Sequence, residues 1–261
     1  MKLVQTIINV VTALMLAVVF VTAGVVACTA PPVTQGLSTV FARDDLSPFD
    51  RNQLVKVADA TRDYSFGLHD KAALYRAIYE VNVEYRDKMQ YSATGTVGQG
   101  FPNLSAVTDK SSVTQLESAF AGASELYCYS KDTVAHLDDC YKLMQDALPF
   151  AAAAALLAVA GLVFTGVTGR KRRVGAVLMG AGAVVLVAFA VLGAWAAINF
   201  NGFFAAFHGL FFSQGNWQFP FDSLLICSLP TQFWMGMGVI WLVVSVALSL
   251  VSLVVGRKCR K

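Results

Sequence analysis

Two histidines are the leading candidates for chemistry in this chain, because imidazole can both accept and donate a proton near neutral pH. His136 is followed three residues later by Asp139, and on a helix these two side chains lie on one face. The carboxylate could therefore orient the imidazole and raise its basicity. His208 lies in residues 203–234, where Asp222 is the one acid. The two histidines could share general acid–base work on a lipid-borne ester, or could be a solvated His–Asp pair and an interfacial imidazole.

The remaining candidates for site chemistry are few. His69 directly precedes a predicted helix and is expected to be a surface or capping residue. No third ligand stands at a regular spacing from the other two histidines, and no Cys-x-x-Cys pair exists, so no metal site is predicted. Cys128 and Cys140 could form a disulfide, although their spacing alone does not fix the geometry. Cys227 and Cys259 are expected to be free.

Four apolar stretches are long enough to cross a bilayer, which takes about 20 residues. The predicted transmembrane helices occupy residues 1–28, 148–169, 174–198 and 233–255. Lys2 is the one charged residue within them, and 56% of the whole chain is hydrophobic. We therefore predict an all-α membrane protein with four transmembrane helices.

Charge placement predicts the orientation of these helices. Nine basic residues and no acid lie on one side of the four spans, at Lys2, residues 170–173 and residues 256–261. Sixteen of the seventeen acids lie on the other side, in residues 29–147. Because basic residues stay cytoplasmic, we expect both termini inside, a cap of residues 29–147 outside, and an aromatic interfacial loop at residues 199–232. The basic clusters indicate topology, so no nucleic-acid partner is expected.

One alternative concerns the first span. Residues 25–28 (Val-Val-Ala-Cys) resemble a lipobox, in which Cys28 would be lipidated after cleavage and the chain itself would be a lipoprotein. The apolar stretch is longer than a typical signal-peptide core, and three more spans follow. These two observations favour a transmembrane helix.

The cap is predicted to be mainly helical. Its predicted helices are residues 47–64, 70–89, 112–127 and 133–144. Ser47 is expected to cap the first, and Ser112 with Gln115 forms a capping-box pair for the third. Pro31 and Pro32 predict a linker, and residues 91–110, rich in Gly, Ser and Thr, predict a mobile loop.

These elements together resemble a known family, the bacterial lipoprotein intramolecular transacylases (Lit). The His-Leu-Asp-Asp-Cys element that begins at His136 is similar to the family's His-Met-x-Asp-Val, with Cys140 in place of an aliphatic residue. Residues 207–212 (Phe-His-Gly-Leu-Phe-Phe) and the Trp…Asp…Pro run of residues 217–234 are similar to two further family elements. The span count and the element order also agree, and the match covers about residues 132–240.

The resemblance implies an intramolecular acyl shift at a bacterial cell membrane. The sn-2 acyl chain of a diacylated lipoprotein would move to that lipoprotein's free N-terminal cysteine amine, in contact with membrane lipids and without a cofactor. His136 and His208 would be the catalytic pair, with His208 favoured as the base and with Asp139 and Asp222 in orienting or supporting positions. An aromatic wall would exclude water. Its members would be Phe204, Phe207, Phe211, Phe212, Trp217, Phe219 and Phe221.

Two other functions stay open at this point. The chain could be a non-catalytic membrane protein whose cap binds a partner and whose histidines are structural or pH-sensing. It could also be a divergent lipid esterase, although no Gly-x-Ser-x-Gly element supports a serine nucleophile. The catalytic interpretation requires His136 and His208 to face each other in one pocket. The oligomeric state does not follow from the sequence.

Overall fold

The structure is a computed structural model that describes residues 2–91, 96–168, 171–212 and 215–261. Within these ranges the regular structure is entirely α-helical. The helices are α1 (Lys2–Cys28), α2 (Pro31–Phe41), α3 (Arg51–Phe66), α4 (Lys71–Gln90), α5 (Val113–Phe120), α6 (Lys131–Thr168), α7 (Lys171–Ile198), α8 (Phe200–Phe211), α9 (Leu224–Ser228) and α10 (Thr231–Arg260). The chain divides into two compact units. Unit 1 comprises Met1–Cys28, Gln145–Phe207 and Met237–Lys261, and unit 2 comprises Thr29–Met144 and His208–Gly236.

Four helices are long and apolar enough to cross a membrane, which confirms the predicted spans. They are α1, α6, α7 and α10. The chain is thus an integral membrane protein of the all-α class. α7 begins at Lys171, so residues 171–173 of the predicted cytoplasmic loop are helical, while Arg170 lies outside the described residues.

Glycines allow two helices of unit 1 to touch backbone to backbone. A Cβ atom on Gly175 would collide with the carbonyl oxygen of Gly256, and one on Gly256 would lie 2.8 Å from the carbonyl oxygen of Gly175. A Cβ atom on Gly182 would lie 2.6 Å from the Ser249 carbonyl oxygen. Close contact between α7 and α10 therefore requires glycine at these positions, as in other small-residue membrane interfaces.

A tryptophan joins three helices of unit 1. The Trp241 indole N–H on α10 donates a hydrogen bond of 2.9 Å to the carbonyl oxygen of Val21 on α1. Its ring packs edge-on against Phe189 of α7, with ring centroids 5.1 Å apart. The apolar body of the side chain is thus partly buried while its one polar atom is satisfied.

Unit 2 has its own hydrophobic core. The largest fully buried apolar side chains there are Phe49, Leu54, Leu74, Ile78, Leu116 and Leu224. Asn82 of α4 is completely buried among them and donates through Nδ2 to the carbonyl oxygens of Ile78 (2.8 Å) and Tyr127 (2.7 Å). The bond to Tyr127 holds the segment that leads into α6, the helix that carries His136.

Side-chain caps determine where the helices of unit 2 begin. Asp50 caps α3 in a capping box with Gln53, so the predicted start at Ser47 is three residues too early. The Ser47 hydroxyl instead accepts from the backbone N–H of Phe49. Ser112 and Gln115 form the predicted capping box at the start of α5. That helix ends at Phe120, seven residues before its predicted end.

Helical structure extends beyond the prediction in three places. Pro31 and Pro32 lie in the first turn of α2, where their missing N–H groups would be unpaired in any case, so the predicted linker is a helix. α8 occupies much of the predicted interfacial loop. α6 is continuous through Pro149 and joins the last predicted cap helix to the second span. Of the predicted mobile loop, residues 92–95 lie outside the described residues.

Candidate active site

His136 and His208 lie next to each other in unit 2. Their ring centroids are 6.0 Å apart, and the ring planes are inclined by 29°. His136 is on α6 and His208 is near the end of α8, and they are only 8% and 9% exposed. Two imidazoles at this separation can contact one reacting group from two sides.

Three aromatic rings enclose the two imidazoles. Phe212 packs edge-on against His136 at 4.8 Å between centroids and lies 5.5 Å from His208. Phe219 lies 5.7 Å from His136, and Trp217 lies 4.8 Å from His208. We call these five residues the histidine–aromatic cluster. Its surroundings are apolar, so water is largely kept from the imidazoles.

Backbone hydrogen bonds fix the segment that carries Trp217 and Phe219. The backbone N–H of Leu224 donates to the carbonyl oxygen of Glu125 at 2.8 Å, and the N–H of Arg43 donates to the carbonyl oxygen of Cys227, also at 2.8 Å. The Ser38 hydroxyl donates to the carbonyl oxygen of Ser228. These bonds attach α9 to α2 and to the segment before α6, which keeps the aromatic residues close to His136.

The two ring nitrogens of His136 differ in their contacts within the described part of the chain. Its Nε2 lies 3.6 Å from Cys140 Sγ, one helical turn along α6. Its Nδ1 is buried and has no hydrogen-bond partner among the described residues. Because a buried polar atom without a partner is costly, this nitrogen is a candidate contact for a bound ligand.

The environment of His136 keeps it neutral. The pKa of His136 is lowered from 6.5 to about 4, mainly by burial and also by the positive charge of a protonated His208, while the Asp139 carboxylate opposes both effects. His136 precedes the apolar part of α6, which begins near residue 148, so this environment is one of protein packing. Burial raises the pKa of the Cys140 thiol to about 12, and the nearby Asp139 charge adds to the rise. A thiol that stays protonated can donate to Nε2, which places the imidazole proton on Nδ1.

Asp139 makes a different contact from the one that the sequence predicts. Its Oδ2 accepts a hydrogen bond of 3.1 Å from Nδ2 of Asn216, and no bond to His136 is present within the described part of the chain. The prediction that Asp139 orients His136 through a hydrogen bond is therefore wrong. Residue 140, at the i+4 position, lies against the imidazole instead. The Oδ1 atom of Asn216 is buried and, among the described residues, has no partner.

Several residues of the predicted aromatic wall lie against the histidines. Phe212, Trp217 and Phe219 contact them, whereas Phe221 is 71% exposed. Phe211 is 45% exposed at the end of α8. The other two predicted members, Phe204 and Phe207, belong to unit 1, where Phe204 packs against Phe200 at 5.7 Å. Asp222 acts on Cys227, whose pKa its charge helps to raise.

The cysteines are free thiols. Cys128 Sγ points to the carbonyl oxygen of Ser124 at 3.5 Å, and Cys140 Sγ points to His136, so the predicted Cys128–Cys140 disulfide is not formed. Each side chain is oriented by its own helix or turn. Within the described ranges no group of three His, Cys, Asp or Glu residues could hold a metal ion.

The third histidine lies in a separate aromatic stack. The His69 ring is stacked between Tyr64 and Tyr141, at 4.2 and 3.9 Å between centroids, and its Nε2 lies 3.5 Å from Asp138 Oδ1. Its φ of 57° is in the left-handed region, which few residues other than glycine adopt. His69 is thus more enclosed than a surface or capping residue, and it is a matched control for the other two histidines.

Sequence reasoning missed one site residue and undervalued another. No local sequence pattern identifies Asn216 as a site residue, because it is 77 positions from its partner Asp139 in the sequence. Cys140 is predicted to lie on the same helical face as His136, but it was considered only as a possible disulfide partner of Cys128. The i+4 spacing was the signal that could have identified it as a neighbour of the imidazole.

The chain is similar in sequence and in fold to known proteins. A sequence model of a family described as lipoprotein intramolecular transacylase Lit matches residues 71–234. The fold is similar to a crystal structure of the Lit transacylase from Bacillus cereus, with a TM-score of 0.69 and 16% identity over 99% of this chain and 97% of that one. A histidine-to-arginine variant of the Bacillus cereus protein has a TM-score of 0.62 at 15% identity, over 99% and 92% of the two chains. No curated protein sequence matches this chain.

Proposed function

Because the chain belongs to the lipoprotein intramolecular transacylase (Lit) family, we propose that it moves an acyl chain within a diacylated lipoprotein. The acyl chain leaves the sn-2 position of the diacylglyceryl group and is transferred to the lipoprotein's own N-terminal cysteine amine. The product is an N-acylated lipoprotein with one free glyceryl hydroxyl. Membrane lipids surround the substrate, and the reaction needs no cofactor.

The observation that carries this proposal is the pair of buried histidines 6.0 Å apart inside three aromatic rings. Acyl transfer from an ester to an amine requires a proton to leave the nitrogen and a proton to reach the departing oxygen. Two neighbouring imidazoles can perform both transfers, and each such transfer contributes roughly 10²–10⁴-fold to rate.

The reaction balances without any further reactant. The amine nitrogen loses a proton and attacks the sn-2 carbonyl carbon, which gives a tetrahedral intermediate with a negatively charged oxygen. The bond from that carbon to the glyceryl oxygen then breaks. The glyceryl oxygen receives a proton, and an amide replaces the ester.

We assign the base to His208 and the oxyanion donor to His136. The lowered pKa of His136, about 4, makes it a weak base but leaves it neutral at pH 7. A neutral imidazole that accepts from Cys140 at Nε2 carries its proton on Nδ1, the buried atom that has no partner among the described residues. An N–H group in that position can donate to the developing oxyanion, and a positioned donor of this kind is worth about 10²–10³-fold in rate. Neutral His136 also leaves the nearby His208 free to take up a proton.

The aromatic members of the histidine–aromatic cluster support transfer over hydrolysis. Phe212 and Phe219 line His136, and Trp217 lines His208. Rings in these positions keep water from the ester carbonyl, so the amine is the available nucleophile. They also offer apolar surface to the acyl chains of the substrate.

We propose the predicted topology together with this activity. Both termini would be cytoplasmic, and residues 29–147 would be extracytoplasmic, because the basic residues at Lys2 and in residues 256–261 prefer the cytoplasmic side. Mature lipoproteins are displayed outside the cytoplasmic membrane, so the histidines of unit 2 would then be on the side of the substrate.

The test is mass spectrometry of the N-terminal peptide of a model lipoprotein. The chain is expressed in a host that keeps diacylglyceryl lipoproteins with free amines. We expect an acyl chain on the amine with no change in total acyl content, and its loss in His136→Ala and His208→Ala. His69→Ala is the matched control and should retain activity. A diacylglyceryl peptide that stays unchanged in the presence of folded wild-type protein would refute the proposal, and release of free fatty acid would indicate an esterase.

A further inference from the structure

We propose that Asp139 and Asn216 form a binding subsite for the α-ammonium group of the substrate's N-terminal residue. This inference rests on the function proposed above, since it assigns a place to the attacking amine. It also gives Asp139 a role that differs from orienting His136. Asp139 is the acid whose negative charge acts on His136.

The contact between the two side chains fixes the orientation of the amide. Asn216 Nδ2 donates to Asp139 Oδ2 at 3.1 Å, and a carboxylate can accept only from the nitrogen end of an amide. The oxygen end, Oδ1, therefore points away from Asp139. This oxygen is buried and lacks a partner among the described residues. It is an acceptor that is oriented in advance for a donor that the described residues do not provide.

The subsite adjoins both histidines. Asp139 is one helical turn beyond His136 on α6, and its charge is close enough to act on that imidazole. Asn216 directly precedes Trp217, whose ring lies 4.8 Å from His208. The two members of the subsite thus approach the histidine pair from two different segments of unit 2.

The chemistry of the subsite matches an ammonium group. The α-amino group of a peptide has a pKa of about 7.7–8.0, so it is mostly a cation at pH 7. An ammonium has N–H donors and no acceptor. The Asp139 carboxylate and Asn216 Oδ1 can accept two of its hydrogens, which leaves a third directed to His208. Charge-assisted hydrogen bonds of this kind are roughly twice as strong as neutral ones.

The same chemistry predicts how the product leaves. After acyl transfer the nitrogen is an uncharged amide with a single N–H, so it can no longer satisfy both acceptors. The subsite therefore prefers the substrate to the N-acylated product. Such a preference favours product release and prevents an N-acylated lipoprotein from occupying the enzyme.

The experiment measures binding in the absence of reaction. The ligands are two dialkyl-ether glyceryl lipopeptides, one with a free amine and one with an N-acetyl group, because an ether cannot transfer an acyl chain. Dissociation constants are measured with the full chain in detergent micelles at pH 7. We expect wild type to bind the free amine about tenfold or more tightly than the N-acetyl ligand.

Variants and pH distinguish a subsite that recognises the amine from a contact between Asp139 and Asn216 that is only structural. Asp139→Asn keeps the shape and should abolish the preference, and Asn216→Ala should reduce it. Asp138→Asn is the matched control, because Asp138 is the acid directly before Asp139 on α6 and contacts Tyr64 and His69. At pH 9.5 the amine is neutral, and the preference of wild type should largely disappear.

Each outcome decides the inference. A preference that persists in Asp139→Asn, or at pH 9.5 in wild type, overturns it. If Asp139→Asn weakens the binding of both ligands equally, the inference is also overturned, because that result indicates that Asp139 has only a structural role. Since the ether ligands do not react, the proposed function is judged separately. Wild type that discriminates the ligands but transfers no acyl chain would retain the subsite and reject the function, and the reverse result would reject only the subsite.

Discussion

Replacing Phe212 by alanine should raise the pKa of His136, because the Phe212 ring is one of the groups that exclude water from that imidazole. Burial is the largest cause of the lowered value, about 4, against an ordinary value of 6.5. Complete return to water would therefore raise the pKa by about 2.5 units, equivalent to roughly 3.4 kcal/mol at 1.36 kcal/mol per unit. Phe219 and His208 remain in place, so we expect about half of this rise.

The consequence is a change in the protonation of His136 under mildly acidic conditions. With a pKa of about 4, only about 3% of His136 carries a charge at pH 5.5. With a pKa raised by slightly more than one unit, roughly a third would carry a charge at that pH. A charged His136 opposes proton uptake by the neighbouring His208, so transfer slows as the pH falls. Water admitted by the missing ring should also release free fatty acid.

The assay combines two measurements. Nuclear magnetic resonance of histidine-labelled protein gives the pKa of His136, and mass spectrometry gives the ratio of N-acylated product to free fatty acid between pH 5.5 and 7.5. Phe212→Leu is the matched control, since leucine keeps the site apolar. Phe221→Ala is a second control, because Phe221 is 71% exposed. If Phe212→Ala leaves both the pKa of His136 and the product ratio unchanged, the reasoning from burial is refuted.

Two further variants test other parts of the structure. Cys140→Val removes the group next to His136 Nε2 and should lower kcat by about twofold to tenfold with little change in KM, the range of one neutral hydrogen bond. An unchanged kcat, measured on the ester substrate, would show that Cys140 does not set the imidazole tautomer. Asn82→Ala removes the donor to the buried carbonyl oxygens of Ile78 and Tyr127 and should destabilise unit 2 by about 2–4 kcal/mol. The check is the denaturant midpoint, and the same midpoint as wild type would contradict the role of Asn82.

The four spans could be predicted from the sequence because they depend on length and composition alone. A bilayer requires a long uncharged stretch wherever it is crossed, irrespective of what the rest of the chain does. Local signals also succeeded where the partner was near in sequence, as with Ser112 and Gln115. The two histidines were identified from their residue type, their neighbours and the family resemblance.

The contacts that could not be predicted from the sequence are those between segments that are far apart along the chain. Asp139 had one visible partner, His136, but its side chain bonds to Asn216, which no helical spacing connects to it. The aromatic residues around His208 are similar in type, so the sequence could not separate buried Phe212 from exposed Phe221. The segment that follows Phe221 is held by backbone bonds from Leu224 to Glu125 and from Arg43 to Cys227, which involve no distinctive side chain.

The burial of the cysteines has a consequence for covalent reactivity. Burial raises the pKa of Cys128 and of Cys140 to about 12, and that of Cys227 to about 11. Only about one thiol in 10⁴ to 10⁵ is then ionised at pH 7, and the thiolate is the form that attacks disulfides and alkylating agents. In the proposed orientation these thiols face a compartment that oxidises exposed cysteines. Unit 2 should therefore keep Cys128, Cys140 and Cys227 as thiols there without a dedicated reductase, and alkylating reagents should label these thiols only after unfolding.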